Sequence, residues 1–118
     1  MSRLPIEFLQ HIKIEMFYLV KRSNGLTKDD IFQHDDLSRA FTRSLEIIGE
    51  ATKQLPTTFR QIYPEIDWRG LAGLRDKLIH HYFGIDYDIL WDVIANEIPP
   101  ALEFLEEIIK KETDNPTT

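Results

Sequence analysis

The chain has 118 residues, no cysteine, a formal net charge of −6, 42% hydrophobic residues and 29% charged residues. That is one domain with apolar material for a working core. It excludes a disulfide framework and a thiolate metal site, and no run approaches the ~18 apolar residues of a bilayer-spanning helix.

Pro5 suits a first helical turn, and Leu9, Ile12, Met16 and Leu19 recur at helical spacing, which predicts a helix from Pro5 to about Arg22. Ser23-Asn24-Gly25 breaks it. Thr27 and Asp30 have the spacing of a capping box, so a short helical turn is expected up to Phe32. A second long helix is predicted from Asp35 or Asp36 to about Leu55, with Leu37, Ala40, Phe41, Ser44, Ile47, Ile48, Ala51 and Leu55 on one stripe. Arg39, Arg43, Glu46 and Glu50 lie on a second stripe beside it.

Pro56 and Pro64 bracket an expected loop containing Phe59, Ile62 and Tyr63. A third helix is predicted from about Glu65 to Tyr82, capped by Gly84. Asp86 is placed to cap a fourth helix reaching about Lys111, interrupted at Pro99 and Pro100. Residues 1–112 read as the domain and 113–118 as a disordered tail. No strand is expected. The fold class is all-α: an antiparallel bundle of four main helices with a short extra helix. The first residues, Met1-Ser2-Arg3-Leu4-Pro5, lack the apolar stretch of a signal peptide, and with the lack of cysteine this reads as a cytoplasmic protein.

The chemistry concentrates in Arg75-Asp76-Lys77-Leu78-Ile79-His80-His81-Tyr82. Arg75 is a permanent cation able to fork onto a phosphate. His80 titrates near neutrality and can move protons. Tyr82 carries a hydroxyl that donates, accepts or can be modified. These three match the R-x4-H-x-Y motif of the HEPN superfamily. The segments Ser44-Leu45-Glu46-Ile47-Ile48-Gly49-Glu50-Ala51 and Ile98-Pro99 also resemble its HepT-like toxin branch. The resemblance spans roughly residues 3 to 112.

On a 100° wheel with Arg75 at the origin, Leu71, Leu74, Leu78 and Tyr82 fall at about 260–340°, the core face, and His80 at about 140°, beside Gly73. One ideal helix therefore does not bring Arg75 and His80 together. Either the helix loosens before Gly84, or a second chain completes the site. The resemblance implies the second: HEPN domains pool two motifs in the cleft of a homodimer, and Gly73 would let another backbone approach.

Each residue also has a plain structural reading. Arg75 would pair with Glu46 or Glu50. His80 would be a solvent-facing residue favoured by a helix C-terminus. His81 would sit at the core edge. Asp76 and Lys77 would be ordinary surface residues, with Asp76 near enough on the wheel to orient His80. Trp68 and Trp91 read as core or dimer-interface anchors rather than base-stacking platforms. His80 and His81 point roughly 100° apart on a helix, and His11 and His34 read as surface residues, so no metal site is expected.

The resemblance implies a metal-independent endoribonuclease toxin needing no cofactor. Arg75 and His80 would be catalytic, and Tyr82 would position phosphate. Glu46, Glu50 and Asp76 would support them. It further implies a cognate nucleotidyltransferase antitoxin, resembling MntA, that adenylylates Tyr82. The acidic net charge favours a second reading, a non-catalytic nucleotide-binding or scaffold subunit for such a nucleotidyltransferase. It also suits a basic protein partner.

Overall fold

Proline at the first position starts α1 (Pro5–Ser23), because its missing N–H would be unpaired there in any case. Glu7 accepts a hydrogen bond from the Leu4 N–H at 3.2 Å and closes that end. The computed structural model describes residues 4–79 and 84–115. Among these, every regular element is helical, and the only β-type pairing is an isolated antiparallel bridge between Ile79 and Ile85.

α2 (Lys28–Gln33) begins on the capping box read from the sequence: the Thr27 hydroxyl accepts from the Asp30 N–H and the Asp30 carboxylate accepts from the Thr27 N–H. α3 (Asp35–Lys53) follows at once. It runs antiparallel to α1. The Ser44 hydroxyl donates to Glu15 at 2.8 Å, and one turn earlier on α3 the Phe41 ring meets Tyr18, one turn later on α1. The stripe expected on α3 is too narrow. Leu45, Gly49 and Thr52 are buried as well, while Leu37, Ala40 and Ile47 are only half-buried. α3 packs against α1 on one side and against the middle of the chain on the other, so its buried arc is wider than a one-sided helix presents.

The expected loop between Pro56 and Pro64 contains a helix, α4 (Thr57–Ile62). Pro56 takes the N-cap position, and Phe59 is buried beneath it. The Arg60 guanidinium donates to the Thr52 and Leu55 carbonyls at 3.1 Å, so α4 satisfies the open end of α3.

The third predicted helix needs the largest correction. It starts three residues later than Glu65, with Asp67 as N-cap, and consists of two short helices, α5 (Trp68–Ala72) and α6 (Leu74–Leu78), jointed at Gly73. Ile79 is already extended, with φ −104° and ψ 115°. Gly84 has φ +92°, a conformation that suits glycine. Asp86 then caps α7 (Tyr87–Asp92) as expected, its carboxylate accepting from the Ile89 N–H at 3.1 Å.

A π-helical turn, Val93–Glu97, separates α7 from α8 (Ile98–Asp114). Pro99 and Pro100 lie in the first turn of α8, where their lack of N–H groups leaves the preceding carbonyls free to shift register. α8 runs through Asp114, so residues 113 and 114, expected in the tail, are helical. α1 lies between α3 and α8 and contributes Leu9, Ile12, Met16 and Leu19 to the core, as its spacing predicted. At 0–2% exposure, each of these and of Phe41, Leu45, Ile48, Leu105 and Ile108 is fully buried, worth about 1.5–3 kcal/mol apiece by apolar transfer.

Candidate functional site

The site begins with a glycine. Gly49 stands in the middle of α3, and a β-carbon there would lie 3.1 Å from the Leu71 carbonyl oxygen and 3.5 Å from that of Ala72. Only the missing side chain lets the end of α5 come so close. One turn earlier on α3 is Glu46, and just beyond Ala72 is Arg75. The antiparallel run of the two segments sets them opposite each other, with Arg75 Nε 4.0 Å from Glu46 Oε2.

Of the two partners expected for Arg75, Glu46 takes the role. Glu50 turns instead to Lys53 on its own helix, at 3.8 Å. The Arg75 side chain remains 64% exposed while Glu46 is 27% exposed. A half-buried carboxylate thus steadies an arginine whose guanidinium still faces solvent. That arrangement leaves donors on the guanidinium for a phosphate. Leu74 and Leu78, flanking Arg75, are buried and hold α6 down.

The wheel that separated Arg75 from His80 stops applying at Leu78, where the helix ends. His80, His81 and Tyr82 lie outside the described residues. Their flanks are described. The Asp86 N–H donates to the Leu78 carbonyl at 2.8 Å, and Ile79 bridges Ile85. Both ends of the segment carrying His80 and Tyr82 are therefore tied together at the foot of α6, next to the turn that bears Arg75. The helix breaks here, as the first alternative supposed.

Within one chain Gly73 has a local role. A β-carbon on it would meet only the carbonyls of Arg69 and Gly70 on its own segment, at 3.4 and 3.9 Å. Its place is the joint between α5 and α6, where its N–H closes the first helix onto the Arg69 carbonyl at 3.1 Å. Asp76 is exposed and makes no hydrogen bond or ion pair with another described residue. Lys77 pairs with Glu97 at 3.3 Å and fastens α6 to the π-helical turn.

Trp68 is a core anchor, as its plain reading supposed: it is 5% exposed and its indole N–H donates to the Tyr63 carbonyl at 2.8 Å. Trp91 is half-buried against the core. His11 and His34 are exposed. Among the described residues no group of three or more His, Cys, Asp or Glu side chains is disposed to hold a metal ion, and no helix is long and apolar enough to cross a membrane.

Gly49 is the residue whose role the sequence reading passed over. A glycine inside an otherwise strong helical stripe is the available signal, since it costs helix stability unless close packing requires it.

Comparison with known proteins extends this picture. Residues 10–108 match the model of a family described as ribonuclease HepT-like. A candidate RNase of Caldanaerobacter subterraneus is 46% identical over 110 residues, covering 93% of this chain and 98% of that protein. A candidate RNase of Methanocaldococcus jannaschii is 47% identical over 103 residues, covering 87% and 85%. A protein of Thermococcus cleftensis named as a probable ribonuclease HepT is 36% identical over 110 residues, covering 93% and 100%. No solved structure matches the chain.

Proposed function

The chain belongs to the HepT-like ribonuclease family, and from that premise we propose that it is the toxin of a cytoplasmic toxin–antitoxin pair, an endoribonuclease that cuts RNA without a metal ion. The observation that carries this reading is Arg75, exposed and steadied by Glu46 beside the tied segment that bears His80 and Tyr82.

The reaction is attack of the substrate's own 2′-hydroxyl on the adjacent phosphorus. The O2′–P bond forms and the P–O5′ bond breaks. A base takes the proton from the 2′-hydroxyl and an acid gives one to the departing O5′. His80 serves as one of these, and His80 of a second copy as the other, in a cleft shared by a homodimer. Arg75 binds the scissile phosphate and stabilises the charge that builds on its oxygens. Tyr82 positions that phosphate. Glu46 orients Arg75, and Glu50 and Asp76 stand as supporting acids. The dimer rests on the family resemblance, since the wheel argument for it fails at Leu78. Control falls to a nucleotidyltransferase antitoxin that transfers adenylate to Tyr82, placing an anion where it competes with RNA for Arg75.

The test is cleavage of a mixed-sequence RNA by the purified chain in EDTA. The wild type should yield 2′,3′-cyclic or 3′-phosphate ends. Arg75→Ala should lose about 10²–10³ of the rate, as expected for removing one donor to the transition state, and His80→Ala should abolish cleavage. Cleavage restored only by a divalent ion would overturn the metal-free mechanism. Equal rates in all three proteins would overturn the site. A net charge of −6 favours one other reading, a non-catalytic nucleotide-binding or scaffold subunit of the nucleotidyltransferase. A wild type that cuts no RNA yet binds that partner would favour it.

A further inference from the structure

Where α1 meets the stripe of Arg43 and Glu50, α1 and α3 enclose a depression of about 250 Å³ open to solvent. Phe8 and Ile47 form its apolar wall, and His11, Arg43, Glu50 and Gln54 supply polar groups around it. Arg43 is exposed and has no carboxylate within ion-pair distance among the described residues. The Gln54 side-chain amide makes no hydrogen bond with a described residue.

We propose that this depression is a nucleobase-binding subsite for a nucleotide flanking the cut, with adenine as its best-matched base. The inference rests on the ribonuclease reading and deepens it. Arg43 lies three residues before Glu46 and Glu50 four after it, so their β-carbons lie about 5–6 Å from that of Glu46 on the helix surface. Arg75 stands on the opposite flank of Glu46. A strand whose scissile phosphate rests on Arg75 therefore passes within a side-chain length of the depression.

The chemistry of the lining selects the ligand. The half-buried Phe8 ring offers an apolar wall on which a base can stack, a contact every base can make. The primary amide of Gln54 has one donor and one acceptor side by side, the pattern that pairs with N6 and N7 of adenine. The Glu50 carboxylate, paired with Lys53 at 3.8 Å but largely exposed, keeps lone pairs to accept from a base with an exocyclic amino group; uracil presents carbonyl oxygens there instead. Arg43 supplies the cation for the attached phosphate. His11 stands beside it as a further polar contact.

The experiment is a titration of the isotope-labelled full chain with adenosine 5′-monophosphate and, separately, uridine 5′-monophosphate, followed by amide resonance shifts. The adenine nucleotide should shift amides of residues 8–11 and 43–54. Gln54→Ala should weaken its binding about tenfold, the size of one bidentate base contact, and Arg43→Ala should weaken both nucleotides. Both side chains are exposed, so neither change threatens the fold. Absence of shifts in these segments, or unchanged adenine-nucleotide binding by Gln54→Ala, overturns the subsite. Equal affinity for the two nucleotides overturns the adenine assignment.

Failure of the ribonuclease reading is separable. A wild type that binds the adenine nucleotide here but cuts no RNA keeps the pocket and loses the reaction. One that cuts RNA through Arg75 with no nucleotide bound at the depression loses the pocket alone.

Discussion

Thr42 lies on the edge of α3 that faces α5 and α6, 6% exposed, with its hydroxyl unpaired among the described residues. The other buried hydroxyls of α3 are paired: Ser38 donates to the Asp35 carbonyl, Ser44 to Glu15, and Thr52 to the Ile48 carbonyl. An orphaned buried hydroxyl costs about 1–3 kcal/mol, and valine replaces it with a methyl at similar helix propensity. Thr42→Val should therefore raise the thermal midpoint by a few degrees without altering the far-UV spectrum. A midpoint unchanged or lower would mean that the hydroxyl is satisfied in solution. By contrast Arg75 and Glu46 should matter little to stability, about 0–1 kcal/mol, because their ion pair is long and the arginine is largely solvated.

At the scale of elements, the contact between α3 and the α5–α6 pair depends on Gly49. Gly49→Val would drive two methyl groups and a β-carbon into the Leu71 and Ala72 carbonyls, which are backbone and cannot rotate away. It should cost about 1–3 kcal/mol as overpacking does and, by lifting α6, separate Arg75 from Glu46. Urea unfolding together with RNA cleavage reads both effects; a variant as stable and active as the wild type would show that the close approach is dispensable. The start of α2 gives a pH-dependent prediction. The Thr27 backbone N–H, and after it the Thr27 side chain, hold the Asp30 carboxyl below the usual carboxylate range. A carboxyl lowered on folding adds stability above its unfolded pKa and loses it as pH falls through the folded value. Asp30→Asn should thus be less stable than the wild type at pH 7, and the gap should close as pH falls through and below the usual carboxylate range. A gap that is constant with pH would assign the cap to the side-chain amide geometry rather than to charge.

For the whole molecule, the proposed dimer and its control are read by one measurement. Native mass spectrometry after co-expression with the proposed nucleotidyltransferase antitoxin should show two copies of this chain carrying adenylate, and digestion should place the adenylate on Tyr82. Tyr82→Phe should remain unmodified. A monomer that still cuts RNA would sink the shared cleft, and adenylate found on Tyr18, Tyr63 or Tyr87 would sink the assignment to Tyr82.

The three long helices, the capping box at Thr27 and the Asp86 cap were legible in the order of residues, because each depends on spacing within one segment. So was the pairing of Arg75 with an acid of the second stripe. Three things were not. α4 forms because Pro56 and Arg60 close the end of α3, a contact between segments. The third helix breaks at Gly73 and ends at Leu78 because Ile79 leaves to bridge Ile85 and the Leu78 carbonyl is taken by the Asp86 N–H. The choice of Glu46 over Glu50 follows from how closely α5 approaches Gly49. Periodicity reports which face a segment buries. It carries no record of which neighbour supplies the competing hydrogen bond, or of how near a backbone comes, and those decided the site.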